Sequence, residues 1–454
     1  MCQVQFNIES DLCNVKQNIS KMISNKKIVK IVFAVQLTFL PFFMLGQSKT
    51  TDIALHKMVQ QRTELMFDSL VKIRRDFHTY PELAEEEEGT SKKIAFYLKS
   101  LGLEVYTHIG GYGVVGILRT NKKGKRIAWR ADIDALESNH SDVVNFSSKN
   151  KGVRHICGHD VHTTIALGIA KVLTSLKENL RGTVYFIFQP SEENWVGAKA
   201  MIDDGLFDLI DPEEIYALHI GPMSEGIITT KARNPFADYK GIEITFENTK
   251  GKKNIIDYTK ALFLNLQNVL PDSKFWDNKN LLDPNIGLGN PNTIFKDYLT
   301  VNPNIAVKET DNEISVRAYL SAEKETQLEL ILNQLRMKLK KSRYSAQFLD
   351  IKFYKETALV LNDEQLTSET MSSIGEIYGN EHVLPLYGAI PDGRGDDFSL
   401  FQRKIPGVYF LLGASNFEKG IISMPHSPNF AVDESCIKTG VNFFSSMIIE
   451  RLKQ

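Results

Sequence analysis

The chain has 454 residues, 43% of them hydrophobic and 24% charged, a composition that suits a globular protein of two or three domains. Its formal net charge is −1, so no strong global field draws it toward nucleic acid or anionic lipid. Lys and Arg are spread along the chain without an interleaved basic and aromatic stripe, and nucleic acid is set aside as a partner.

The first fifty residues differ in kind. Lys26-Lys27-Ile28-Val29-Lys30 is basic and leads into the apolar run 31–46, after which Gln47-Ser48-Lys49 turns polar. A basic n-region, a short apolar h-region and a small residue, Gly46, at its end read as a secretory signal peptide. The run falls short of the roughly 20 residues that a transmembrane helix needs, and Pro41 interrupts it. Residues 1–46 are therefore expected to be a leader and the remainder to be exported, periplasmic or secreted. An uncleaved membrane anchor is the second reading, because Met44 stands where a small residue is preferred. Met22 is a natural start for such a peptide. Cys2 and Cys13 would leave with the leader, and the remaining Cys157 and Cys436 are too few for a disulfide framework.

From about Leu55 to Leu103 the apolar spacing is helical, with Leu70, Ile73 and Phe77 before a break at Pro81-Glu82-Leu83 and Ala95, Leu98 and Leu101 after it. Short apolar runs at 114–118, 126–129, 183–188 and 215–218 read as strands. Between the middle pair, Ile165, Ile169, Leu173 and Leu176 mark an amphipathic helix. This alternation predicts an α/β domain with a largely parallel, buried sheet. Residues 240–355 read as a separate unit of strand, helix, strands, helix and strand, a small α+β sandwich with one solvated sheet face. Another buried strand, 405–413, returns to the first domain. The expected division is a catalytic domain of 47–239 and 356–454 with 240–355 inserted. Cys436 lies in an apolar-periodic segment and reads as core; His56, His140 and His382 read as surface residues.

The most informative stretch is His155-Ile156-Cys157-Gly158-His159-Asp160-Val161-His162, followed by Gln189-Pro190-Ser191-Glu192-Glu193. One such residue alone is usually packing or surface; clustered, they mark a metal or catalytic site. A thiol and an imidazole two apart, an adjacent carboxylate pair and further isolated histidines supply a metal site with its own general base. Asp132 and Asp134, Glu192-Glu193 and His219 each follow or end an expected strand, where open α/β sheets place their ligand sites. The residues point to a metallohydrolase.

Taken together, these segments resemble the amidohydrolase branch of the aminoacylase/carboxypeptidase metallopeptidases, which includes hippurate hydrolases and indole-acetyl-amino-acid hydrolases. The likeness rests on Arg74-Arg75-Asp76-Phe77-His78 with Pro81-Glu82-Leu83, Arg130 to Leu136, His155 to His162, Phe188 to Glu193 with Gly197 to Met201, Leu218-His219-Ile220, Asp396 to Ser399 and Pro425 to Pro428. It implies a dinuclear site, zinc or manganese, with Cys157, His159, Glu193, His219 and His426 as ligands. Glu192 is implied as general base, taking a proton from the metal-bound water and passing it to the leaving amine. Asp132, Asp160 and His162 are read as residues that orient the ligands. The implied activity is hydrolysis of the amide of an N-acyl amino acid or small peptide. A dipeptidase or carboxypeptidase using the same site, and a metal-containing binding protein of weakened activity, are the alternatives. A homodimer through 240–355 is expected from the same likeness. Two features depart from the family, and the lesser is an Asn-Val-Ile-Pro-like element blurred here to Asn304-Ile305-Ala306-Val307. The family's small domain carries a histidine after a glycine-rich turn, and here 249–256 has none; such an oxyanion donor is worth roughly 10²–10³ in rate. Lys252 and Lys253 are the residues placed to substitute.

Overall fold

Strands at two separated stretches of the chain close a single sheet. In the computed structural model, which describes residues 26–391 and 395–454 with side chains from Ile53 onward, eight strands lie in one order. They are Glu104–Ile109, Gly113–Arg119, Thr183–Gln189, Arg126–Asp132, Glu214–Ser224, Gly407–Ser415, Ile228–Thr230 and Val383–Pro385. The beginning of the expected leader, with Cys2, Cys13 and Met22, lies outside the described residues. The four strands from Thr183 to Gly407 in this order are mutually parallel, and the Gly407–Ser415 strand is buried at every position. Such strands lack polar alternation because helices cover both faces.

One face is packed by the helices His159–Ser175 and Ser435–Lys453. Trp129 of the sheet meets Phe444 with ring centroids 4.7 Å apart. Gly168 admits Val441, which would stand 2.5 Å from any added Cβ. On the other face Ala198, Met201, Phe398 and Phe401 join Ala128, Tyr185, Ile187 and Ala217 in one buried cluster. The sheet departs from the parallel expectation at its edge, where Glu104–Ile109 and Gly113–Arg119 run antiparallel. Gly110 and Gly111 both stand at positive φ, 62° and 96°, and so short a connection can join only antiparallel strands.

The second sheet is antiparallel throughout, ordered Leu299–Val301, Glu313–Ala322, Asp238–Glu247 and Phe348–Glu356, with Ala306–Glu309 also paired to Glu313–Ala322. Helices Lys252–Leu264 and Glu325–Lys340 bury Ile255, Phe263, Leu328 and Leu335 against Ile242, Ile244, Val316 and Leu320. The first of these helices ends at Leu264, and beyond it Asn268 accepts from Leu299 N at 2.7 Å and donates to Asp297 O at 2.8 Å. Of the three histidines read as surface residues, His140 is exposed, whereas His56 is buried and His382 is half-buried with Nδ1 2.7 Å from Gly226 O. Among the described residues no helix is long and apolar enough to cross a membrane.

Asp238 opens the strand Asp238–Glu247 and is buried, with Lys240 Nζ 3.6 Å away. Burial pushes its carboxyl from 3.8 up to about 6. The folded state therefore holds this proton more tightly than the unfolded chain does. The stability that this confers is complete below pH 3.8 and is lost as pH rises through about 6. Urea unfolding of wild type and Asp238→Asn across this window should show the wild type losing ground steadily to the variant. Parallel pH profiles would contradict the assignment.

Candidate metal centre

The site lies at the carboxyl ends of the parallel strands. Asp132 closes the strand Arg126–Asp132, and Ser191 to Glu193 follow Thr183–Gln189 across Pro190. His219 sits inside Glu214–Ser224, a strand that continues past the point where the sequence suggested an end. Cys157 and His159 flank Gly158, which stands at φ 104° where an added Cβ would come 2.4 Å from Ile220 Cδ1. Only glycine permits this conformation at this contact. It turns the chain sharply into the helix His159–Ser175, leaving thiol and imidazole on one rim.

Five side chains named from the sequence converge here. Cys157 Sγ lies 3.1 Å from His219 Nε2 and 3.2 Å from His426 Nε2, and His426 Nε2 lies 3.4 Å from Glu193 Oε1. His159 Nε2 is 3.8 Å from Glu193 Oε1 and from Glu192 Oε2. Within each of the triads Cys157–His159–His219 and Cys157–Glu193–His426 the donor atoms lie within 4.8 Å of one another. Cys157 belongs to both. The far nitrogens are already engaged: His159 Nδ1 is 2.9 Å from Asp134 O and 3.1 Å from Asp134 Oδ1, and His219 Nδ1 is 2.6 Å from Ile220 O. Each bond puts the proton on Nδ1 and presents the Nε2 lone pair to the centre.

Two of the converging atoms, His159 Nε2 and Glu193 Oε1, are buried without a hydrogen-bonding partner among the described residues. An unpaired buried polar atom costs about 1–3 kcal/mol. One sulfur, three imidazole nitrogens and a carboxylate oxygen form a donor set suited to a first-row divalent ion. The residues present therefore fit a metal. Burial lowers His159, but the Asp132 carboxylate and the Cys157 sulfur outweigh it and raise the imidazole well above its ordinary value, so a bound ion would have to displace that proton. Burial pushes the Cys157 thiol well up, so a nearby cation is what would favour its thiolate. Burial lowers His219 to about 3, which keeps it neutral. Burial and the neighbouring Asp396 carboxylate push Glu192 well above the usual range.

The supporting residues divide differently from the sequence reading. His162 Nδ1 is 2.7 Å from Asp132 Oδ1, and His162 Nε2 accepts from Ile220 N at 3.0 Å. Both nitrogens are thus occupied, and His162 braces the backbone beside His219. Asp132 also accepts from Arg130 at 2.6 Å. Asp160 corrects the expectation. Its Oδ2 lies 2.8 Å from Arg74 Nε, as an ion pair, and 2.8 Å from His78 Nδ1, with no member of the converging set among its partners. Pointing to the opposite side of the helix start, it ties that start to the helix Lys26–Thr79. Lys252 and Lys253 bond the surface carboxylates Glu309 and Asp257.

Asp134 and Arg130 carry roles that the sequence reading did not assign. Asp134 accepts from His159 Nδ1 and also from Glu193 N at 2.9 Å, so it aligns both. Arg130 is fully buried and holds Asp396 at 2.9 Å and Asp397 at 3.2 Å, the two carboxylates grouped with Glu192. The available signal was the alternation Arg130, Asp132, Asp134, which puts three charged residues on one side of an apolar strand and its extension.

Residues 128–450 match the profile of peptidase family M20/M25/M40. The chain belongs to this family. It is 31% identical over 388 residues to thermostable carboxypeptidase 2 of Saccharolobus solfataricus, covering 82% of this chain and 93% of that protein. To the hippurate hydrolase of Campylobacter jejuni it is 29% identical, covering 84% and 96%. A solved structure of Bacillus subtilis YXEP, described as a dinuclear metal binding peptidase of family M20, shares the fold. Its TM-score is 0.68 at 23% identity, covering 86% of this chain and 99% of that one. As a member of M20/M25/M40, this chain is a metal-dependent amidohydrolase or peptidase. In such an M20 site, Asp132→Ala should weaken divalent-metal binding about 10–100-fold, measured by calorimetric titration. Unchanged affinity would remove Asp132 from its supporting role.

Proposed function

We propose that the protein hydrolyses the amide of an N-acyl amino acid or small peptide. Two divalent ions, zinc or manganese, would be held by Cys157, His159, Glu193, His219 and His426. The carrying observation is the pair of donor triads that share Cys157, with the buried carboxylate of Glu192 beside them. Ions held there would supply Lewis acidity toward the substrate carbonyl and lower the pKa of water. Glu192 then takes the proton of the attacking water and delivers it to the leaving amine. A carboxyl raised by burial and by Asp396 is suited to both halves of that transfer. Asp134 fixes His159 and the Glu193 backbone while this occurs.

The relatives named as a carboxypeptidase and a hippurate hydrolase support an amide next to a free carboxylate as substrate. We also propose export through the leader 1–46, supported by its basic and apolar order, and a homodimer through 240–355, supported by the family likeness. Free-amine release from a panel of N-acyl amino acids and dipeptides tests the activity, with the chain starting at Gln47 and loaded with zinc or manganese. Chelation should abolish release and added metal restore it. Glu192→Gln should lower kcat by about 10²–10⁴-fold with metal content at the wild-type level. A variant that keeps its turnover would exclude Glu192 as the base.

A further inference from the structure

Four non-glycine residues around this centre stand in left-handed backbone: Glu85 at φ 69°, Ser191 at 55°, Trp195 at 64° and His426 at 61°. Such conformations persist only where the surroundings over-determine them, and they gather at functional sites. Ser191 immediately precedes Glu192, so its backbone angles set where Glu192 and Glu193 point.

The bonds that hold Ser191 come from two directions. Within the turn, Ser191 O accepts from Gly197 N at 3.0 Å and Val196 N at 3.3 Å, and Trp195 N donates to Glu192 O at 2.8 Å. Gly197 is pressed so closely on this turn that a Cβ there would stand 1.7 Å from Pro190 O. From outside, Ser191 N donates to Glu87 Oε1 at 2.7 Å, Ser191 Oγ lies 3.3 Å from the same oxygen, and Glu85 N donates to Ser191 Oγ at 3.0 Å.

Glu87 is fully buried and immediately precedes the helix Glu88–Ser100. It is not needed there as a cap, because Glu82 already receives Gly89 N at 3.0 Å and Thr90 N at 2.7 Å. Its second oxygen is buried without a hydrogen-bonding partner among the described residues. Among the described residues this buried carboxyl makes no side-chain cap and no ion pair, and its side-chain hydrogen bonds go to Ser191, so its use is sought there. We infer that Glu87 is a positioning residue for the general base: by clamping Ser191 in left-handed backbone it aims Glu192 and Glu193 at the centre. Burial also raises the Glu87 carboxyl to about 7, a perturbation of the kind that accompanies functional placement.

This inference rests on the proposed hydrolysis and is tested with the metal-loaded chain from Gln47. Glu87→Ala should lower kcat by about 10²-fold, the cost of a misplaced reacting group, with KM within about threefold of wild type. Glu87→Gln keeps an oxygen for Ser191 N and should return kcat to within about threefold of wild type, because the same donor is satisfied. Glu87→Asp withdraws that oxygen while retaining charge, so it should follow Glu87→Ala and carries the test if the alanine variant does not fold. Amide hydrogen exchange gives a readout independent of activity: Ser191 N–H should exchange faster in the alanine and aspartate variants and at the wild-type rate in the glutamine variant. Inactivity of the wild type across the substrate panel would count against the proposed reaction, and the exchange result would still decide the clamp. Unchanged exchange at Ser191, or equal losses of kcat in the glutamine and alanine variants, would overturn it.

Discussion

A buried polar atom costs free energy unless it is paired, and the candidate metal centre is arranged around two that have no hydrogen-bonding partner among the described residues. His159 Nε2 and Glu193 Oε1 face each other at 3.8 Å. Every bond around them fixes that exposure toward the centre. Asp134 accepts a hydrogen bond from His159 Nδ1, the Ile220 carbonyl accepts one from His219 Nδ1, and Asp134 Oδ2 accepts one from Glu193 N. The fold supplies these partners because the strands that carry Asp132 and His219 are parallel neighbours of the same sheet. Their carboxyl ends therefore open on the same side.

Buried charge beside this centre is gathered on one cation. Arg130, Asp132, Asp396 and Asp397 form a buried network in which one guanidinium serves three carboxylates. Buried ions are expensive unless paired and hydrogen-bonded, and here Gln189 and Tyr409 supply further bonds. Glu192 stands against the acidic end of this network, which keeps its carboxyl protonated more readily than a surface glutamate. A second network of Arg74, His78 and Asp160 ties the long first helix to the start of His159–Ser175. The end of that helix that carries His159 is therefore anchored on both sides.

Much of the sheet was legible because buried parallel strands leave unbroken apolar runs, as 183–188 and 405–413 do. The converging donors were legible for a different reason: a thiol, imidazoles and paired acids are uncommon residue types in such proximity. What escaped was direction. Nothing in the string distinguishes Asp160, which points to Arg74, from Asp134, which points to His159, because the choice depends on which side of a turn each side chain leaves. Arg130 was hidden by its strand, and its partners Asp396 and Asp397 lie 266 and 267 residues away. The antiparallel edge depended on Gly110 and Gly111, whose backbone angles the sequence reading did not weigh.

The central claim is that Cys157 belongs to two ligand sets at once. Metal content per chain, measured by elemental analysis after dialysis, tests it most directly in wild type and in Cys157→Ser. The account expects two divalent ions in the wild type and loss of both sites, not of one, in the serine variant. A wild type that holds a single ion, or a serine variant that keeps two, would contradict it.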